Sequence, residues 1–262
     1  MVPAVRTPRH LFALAIAVAA VACSNAPRAN VPTPPASTTP TVATPSPTPT
    51  AAPSSSPAPA AAAIVRYVAI GASDTVGVGA ADPATGSWPA RLAAKLPAGT
   101  TYLNLGVSGS LAAGAREQQL PKALEARPTV ATVWLAVNDL NAGLGPGDYG
   151  MALRSIVTAL VDRTDARIFV GNVPDLRAVP AYAGVDQAAL AARIADYNLQ
   201  IAALQRAYPA RVVVVDLFTG SAVLVSSGTV AADGFHPSDA GYQLIADRFV
   251  AALRDAGVPL RA

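Results

Sequence analysis

Short, continuously apolar runs alternate along this chain with longer stretches whose apolar positions step by three and four. The first run, residues 65–70, ends at Gly71, a turn former. Residues 101–105, 129–137, 167–173 and 212–217 repeat the pattern. Each is read as a strand, because brief apolar runs bounded by turn residues suit a strand covered on both faces. The intervening stretches predict helices. Residues 87–96 make a short one, with Ser87 as N-cap and Pro89 in the first turn, where proline is tolerated. Residues 111–126 are helical in pattern but contain Pro121, which predicts two pieces or a kink. Residues 148–162 and 240–256 predict two more helices. Residues 186–208 give the clearest one: Leu190, Ile194, Tyr197, Ile201 and Leu204 share one face.

Strands apolar on both faces, separated by helices, indicate a parallel sheet with a helical layer on each side. The expected fold is therefore α/β, a three-layer α/β/α sandwich on a five-stranded parallel sheet. Right-handed crossovers favour the flavodoxin-like strand order 2-1-3-4-5. In such a sheet the crevice lies beyond the carboxyl ends of the strands. Ser73 follows the first run, Gly109 the second, Asn138 the third, and Asp233 and His236 the fifth. All five can therefore meet on one rim.

The first 63 residues obey a different grammar. Arg6 and Arg9 precede an uninterrupted apolar stretch, residues 11–22. That stretch is short for a membrane span and has the charge layout of a secretory signal. Small residues lead into Cys23, in a pattern that resembles a bacterial lipoprotein cleavage site, with Ala20 where leucine is usual. Two readings stay open: a lipid anchor on Cys23, or a plain signal peptide cut nearby. Residues 23–63 are rich in Pro, Thr, Ser and Ala; such a segment cannot bury a core and acts as a semi-rigid spacer. The expected organisation is a signal peptide at 1–22, a linker at 23–63 and one domain at 64–262. The chain is then an exported, cell-envelope or secreted protein.

Charge changes the picture by its position. The net charge of +3 is carried by Arg6, Arg9 and Arg28. The domain is neutral and has no basic stripe, which argues against a nucleic-acid partner. Cys23 is the single cysteine, and His236 is the single histidine after His10. Thiolate and multi-histidine metal sites are thereby excluded. The glycines of residues 71–79 match neither a phosphate loop, for want of a lysine, nor a dinucleotide fingerprint.

A serine hydroxyl needs a base to become a nucleophile. His236 can take that proton, and Asp233, three residues earlier, can hold the other ring nitrogen. The Ser73 N–H, the Gly109 N–H and the Asn138 carboxamide are candidate donors to a developing oxyanion. Asp74 and Asp139 are read as turn or cap residues. The loop at 174–185 is placed on the same rim, where it can shape an acyl pocket.

GASDTVG, VSGS, VND and DGFHP, taken together and in order, resemble the blocks of the SGNH hydrolases, the GDSL-type esterase and lipase superfamily. The likeness runs from about residue 64 to 256. It implies a serine ester hydrolase without metal or cofactor, with Ser73, Asp233 and His236 catalytic and Ser73, Gly109 and Asn138 forming the oxyanion hole. The expected substrate is a short-chain or acetyl ester, a lysolipid or an O-acetylated glycan, and a monomer is expected. Ala72 departs from the aspartate of the first block, and Ala136 from a glycine common before the asparagine. A non-catalytic glycan-binding domain on the same fold is the alternative.

Overall fold

The computed structural model describes residues 65–261. The expected signal segment, linker and Cys23 lie outside the described residues. Five strands, β1 (Arg66–Gly71), β2 (Thr101–Asn104), β3 (Val130–Trp134), β4 (Arg167–Gly171) and β5 (Val212–Val215), form one sheet in the order β2-β1-β3-β4-β5. Every pairing is parallel. The predicted architecture and strand order are those observed.

Side chains alternate across the sheet and divide the core in two. On β1, Val68 and Ile70 face one buried cluster, and Tyr67 and Ala69 the other. The first cluster packs under α4 (Ala112–Gln118), α5 (Leu120–Glu125), α7 (Pro146–Arg163) and α8 (Gln187–Ala207). The second packs under α3 (Trp88–Ala93) and α9 (Asp239–Asp255), where Trp88 stacks on Phe249 at 4.2 Å between ring centroids. Such buried aromatic pairs add to the apolar area that each helix contributes. Three shorter helices, α1 (Ser73–Val76), α2 (Pro83–Gly86) and α6 (Val137–Asn141), sit at the rim.

The chain breaks between α4 and α5 beside Pro121, as expected. Asp186 caps α8 by accepting from the Ala188 and Ala189 amides. Some details differ. Ser87 stands at the N-cap of α3 but makes no side-chain cap bond. Helix α7 starts earlier than residue 148, because Pro146 suits its first turn. Strands β4 and β5 stop at Gly171 and Val215, short of residues 173 and 217. Strand β3 ends at Trp134, and residues 135–137 turn into α6 instead of extending it.

Candidate active site

Strand β1 ends at Gly71, and the chain turns at once into α1. A side chain at Gly71 would put its first carbon 1.9 Å from the Thr75 hydroxyl and 2.8 Å from the Trp134 carbonyl. Only glycine lets so sharp a strand-to-helix turn sit against β3. Ser73 is the first residue of α1, so its N–H has no intrahelical acceptor. Its side chain is half-buried and points at His236.

His236 and Asp233 come from the turn before α9. His236 Nε2 lies 2.9 Å from Ser73 Oγ, and His236 Nδ1 lies 2.5 Å from Asp233 Oδ2. With Nδ1 donating to the carboxylate, Nε2 is left as acceptor for the serine proton. The other carboxylate oxygen, Oδ1, accepts from the Phe235 and His236 amides at 2.9 and 3.0 Å. The His236 ring beside it and those amides hold the Asp233 carboxyl down at about 2, against the effect of burial. Asp233 is therefore ionised throughout the neutral range.

Packing fixes this turn against α1. The Tyr242 hydroxyl of α9 donates to the Val78 carbonyl at 2.5 Å, and Asp239 accepts from the Ala81 amide at 3.2 Å. Gly79, at φ +97°, brings its backbone to the turn; a side chain there would meet the Pro237 carbonyl at 2.5 Å. The Ala181 amide donates to the Gly234 carbonyl at 3.0 Å, so the loop at 174–185 braces the other side.

Asn138 occupies the second position of α6, where its Nδ2 donates to the Ser110 carbonyl at 3.1 Å. That bond uses one amide hydrogen and leaves the second for a ligand. Ala136, just before α6, takes φ +108°, a region that favours glycine. Gly109 stands next to Ser110, exposed, at φ +75° and with open space where a side chain would be. The structure thus joins Ser73, His236 and Asp233 directly. It brings Asn138 to the same cavity, and it links Gly109 to the group through Ser110.

Asp139, read as a capping residue, does that work at a distance. It is 1% exposed and both its oxygens accept from the Ala112 amide at 3.1 Å, at the start of α4. Asp74 accepts from the adjacent Thr75 amide at 2.7 Å, and burial pushes its carboxyl up to about 6.

A cavity of about 160 Å³ opens beside Ser73, Asn138 and His236. Pro174, Leu176 and Val179 line it, which puts the loop at 174–185 where it was expected. Among its other apolar walls, Leu224, Val225 and Val230 after β5 and Leu244 and Ile245 on α9 had no signal in the sequence. They come from the stretch between Asp216 and Asp233, which has no charged residue, and from the buried side of a helix.

A model of the GDSL-like lipase/acylhydrolase family matches residues 69–244. No curated protein sequence matches the chain. Among solved structures, Axe2, an acetyl-xylooligosaccharide esterase from Geobacillus stearmophilus (a mutant form), superposes with a TM-score of 0.59 at 18% identity, covering 76% of this chain and 97% of that one. The psychrotrophic esterase EstA from Pseudoalteromonas sp. gives 0.56 at 17% identity, covering 73% and 97%. A family 3 carbohydrate esterase from Clostridium thermocellum gives 0.55 at 20% identity, covering 73% and 96%. At these identities the likeness to the three structures is one of fold.

Proposed function

The chain belongs to the GDSL-like lipase/acylhydrolase family, and from that premise we propose that it is an exported serine esterase acting through an acyl-enzyme on carboxylic esters with short to medium acyl chains. The observation that carries this reading is the unbroken line Ser73 Oγ, His236 Nε2, His236 Nδ1, Asp233 Oδ2. Ser73 Oγ attacks the ester carbonyl carbon while His236 Nε2 takes its proton. Asp233 steadies the imidazolium that forms. The carbonyl oxygen becomes an oxyanion and accepts from the Ser73 N–H, the Gly109 N–H and the Asn138 Nδ2. The tetrahedral species collapses, the alkoxide leaves with the proton from His236, and Ser73 holds the acyl group. Water, deprotonated by the same histidine, then attacks the acyl carbon. The carboxylic acid departs and the proton returns to Ser73.

The cavity supports an acyl chain as occupant, because most of its lining residues are apolar, Leu, Val and Ile foremost. Its volume is close to that of a cavity known to accept a benzene-sized guest, which corresponds to roughly six carbons. The apolar stretch at 11–22 and the proline-rich segment at 23–63 support export, with Cys23 as the residue that would carry a lipid anchor.

Purified Ser73→Ala and His236→Ala proteins, assayed on p-nitrophenyl butyrate, test the reading. Each should lower kcat by at least about 10³-fold, with circular dichroism unchanged. Near-normal turnover in folded Ser73→Ala protein would reject it.

A further inference from the structure

Gln119 takes no part in the chemical steps above, yet its side chain is 2% exposed and fully engaged. Its Oε1 accepts from the Gly71 amide at 3.0 Å. Its Nε2 donates to the Gly71 carbonyl at 3.0 Å and to Ser110 Oγ at 3.1 Å. The sheet explains the first two bonds. Gly71 turns its N–H and C=O toward the β2 side, where its carbonyl also accepts from the Val107 amide at 3.2 Å. Strand β2 has ended at Asn104, so no ladder carbonyl continues alongside Gly71. A carboxamide carries the same donor and acceptor as a peptide group. Gln119, at the junction of α4 and α5, stands in for the missing strand residue.

The third bond extends the network across the site. Ser110 follows Gly109, and its carbonyl holds Asn138. Gly71 lies two residues before Ser73. One buried carboxamide therefore joins the strand end that presents Ser73 to the loop that carries Gly109, and through that loop to Asn138. We propose that Gln119 is a positioning residue that sets the spacing of the three oxyanion donors. This inference rests on the oxyanion assignment made above. Oxyanion donors act by being in place before charge develops, and an ångström of misplacement from a distant change can cost about 10²-fold in rate. Gln119 also neutralises a buried Gly71 amide that would otherwise go unpaired.

A double-mutant cycle tests it. Gln119→Met fills similar space without hydrogen bonds, and Ser110→Ala cuts the arm to the loop together with the bond that Ser110 Oγ donates to the Leu111 carbonyl at 3.2 Å. Each is measured on p-nitrophenyl butyrate in the wild-type and in the Asn138→Ala background, with thermal melts alongside. In the wild-type background kcat should fall by about 10- to 100-fold for Gln119→Met and about 3- to 10-fold for Ser110→Ala, with KM within about twofold. Where Asn138 is already gone, each loss should shrink to under about threefold, because changes within one coupled site are not additive. Equal losses in both backgrounds would mark a merely structural residue and overturn the proposal, as would unchanged kcat in the folded variants. If Gln119→Met does not fold, the Ser110→Ala cycle decides alone. Wild-type turnover in Asn138→Ala itself would remove the oxyanion assignment, and the inference with it.

Discussion

Ala136 holds a backbone conformation that its side chain opposes. It is 1% exposed at φ +108°, immediately before the helix that carries Asn138. Such outliers cost on the order of 1–3 kcal/mol and persist where surrounding structure enforces them. Glycine would relieve the strain, and part of the gain would be offset by the freer unfolded chain. Ala136→Gly should therefore stabilise the protein by about 1 kcal/mol, read as a melting temperature a few degrees higher. Asp74 offers a second residue-level test. Its carboxyl is raised from 3.8 to about 6, chiefly by burial. The folded state thus binds this proton more tightly than the unfolded chain does. The stability that Asp74 contributes is complete below about pH 4 and is lost as pH rises through 6. Asp74→Asn, which keeps the acceptor for the Thr75 amide, should match the wild type below pH 4. It should become more stable between pH 4 and 6, by about 1–2 kcal/mol above pH 7 once partial exposure is discounted. Melting curves across that range, showing no widening gap, would refute this.

At the scale of elements, the sequence marks what is buried better than what is paired. Residues 135–137 are as apolar as a strand interior, which is why the third run reads through to Val137. Leu135 and Ala136 are buried in the core and Val137 packs half-buried against it beside the cavity, while the ladder itself stops at Trp134. Hydrophobicity reports enclosure, and a buried turn looks like a strand. Asn138 therefore sits in a helix and not in a loop. The serine, by contrast, was legible, because a strand end followed by Gly71 and small residues has one efficient continuation in a parallel sheet. His236 and Asp233 were legible because the carboxylate and the ring lie three residues apart in one turn. Gln119 had no local signal: its partners are 9 and 48 residues away, and only the completed fold makes a helix-junction glutamine complete a strand end.

For the whole molecule, the strand ends bring the candidate catalytic groups and the cavity walls from separate segments into one opening. The walls belong to the β3–α6 turn, the loop at 174–185, the uncharged stretch after β5 and the inner face of α9. No pattern in the sequence links those segments, so the cavity is a property of tertiary packing alone. Its size makes a prediction. With each buried methylene worth about 0.8 kcal/mol, kcat/KM on p-nitrophenyl esters should rise about fourfold per methylene added from acetate. It should peak at roughly four to eight carbons and fall beyond, when the chain outgrows the cavity. A profile that is highest for acetate would place the acyl group outside this space. The central claim, that Ser73 is a nucleophile driven by His236 and Asp233, has a more direct test. The protein is treated with a fluorophosphonate probe and the modified peptide is mapped by mass spectrometry. One adduct per chain on Ser73, lost or greatly slowed in His236→Ala, is the expected result; no adduct, or one on another residue with Ser73 unmodified, would contradict it.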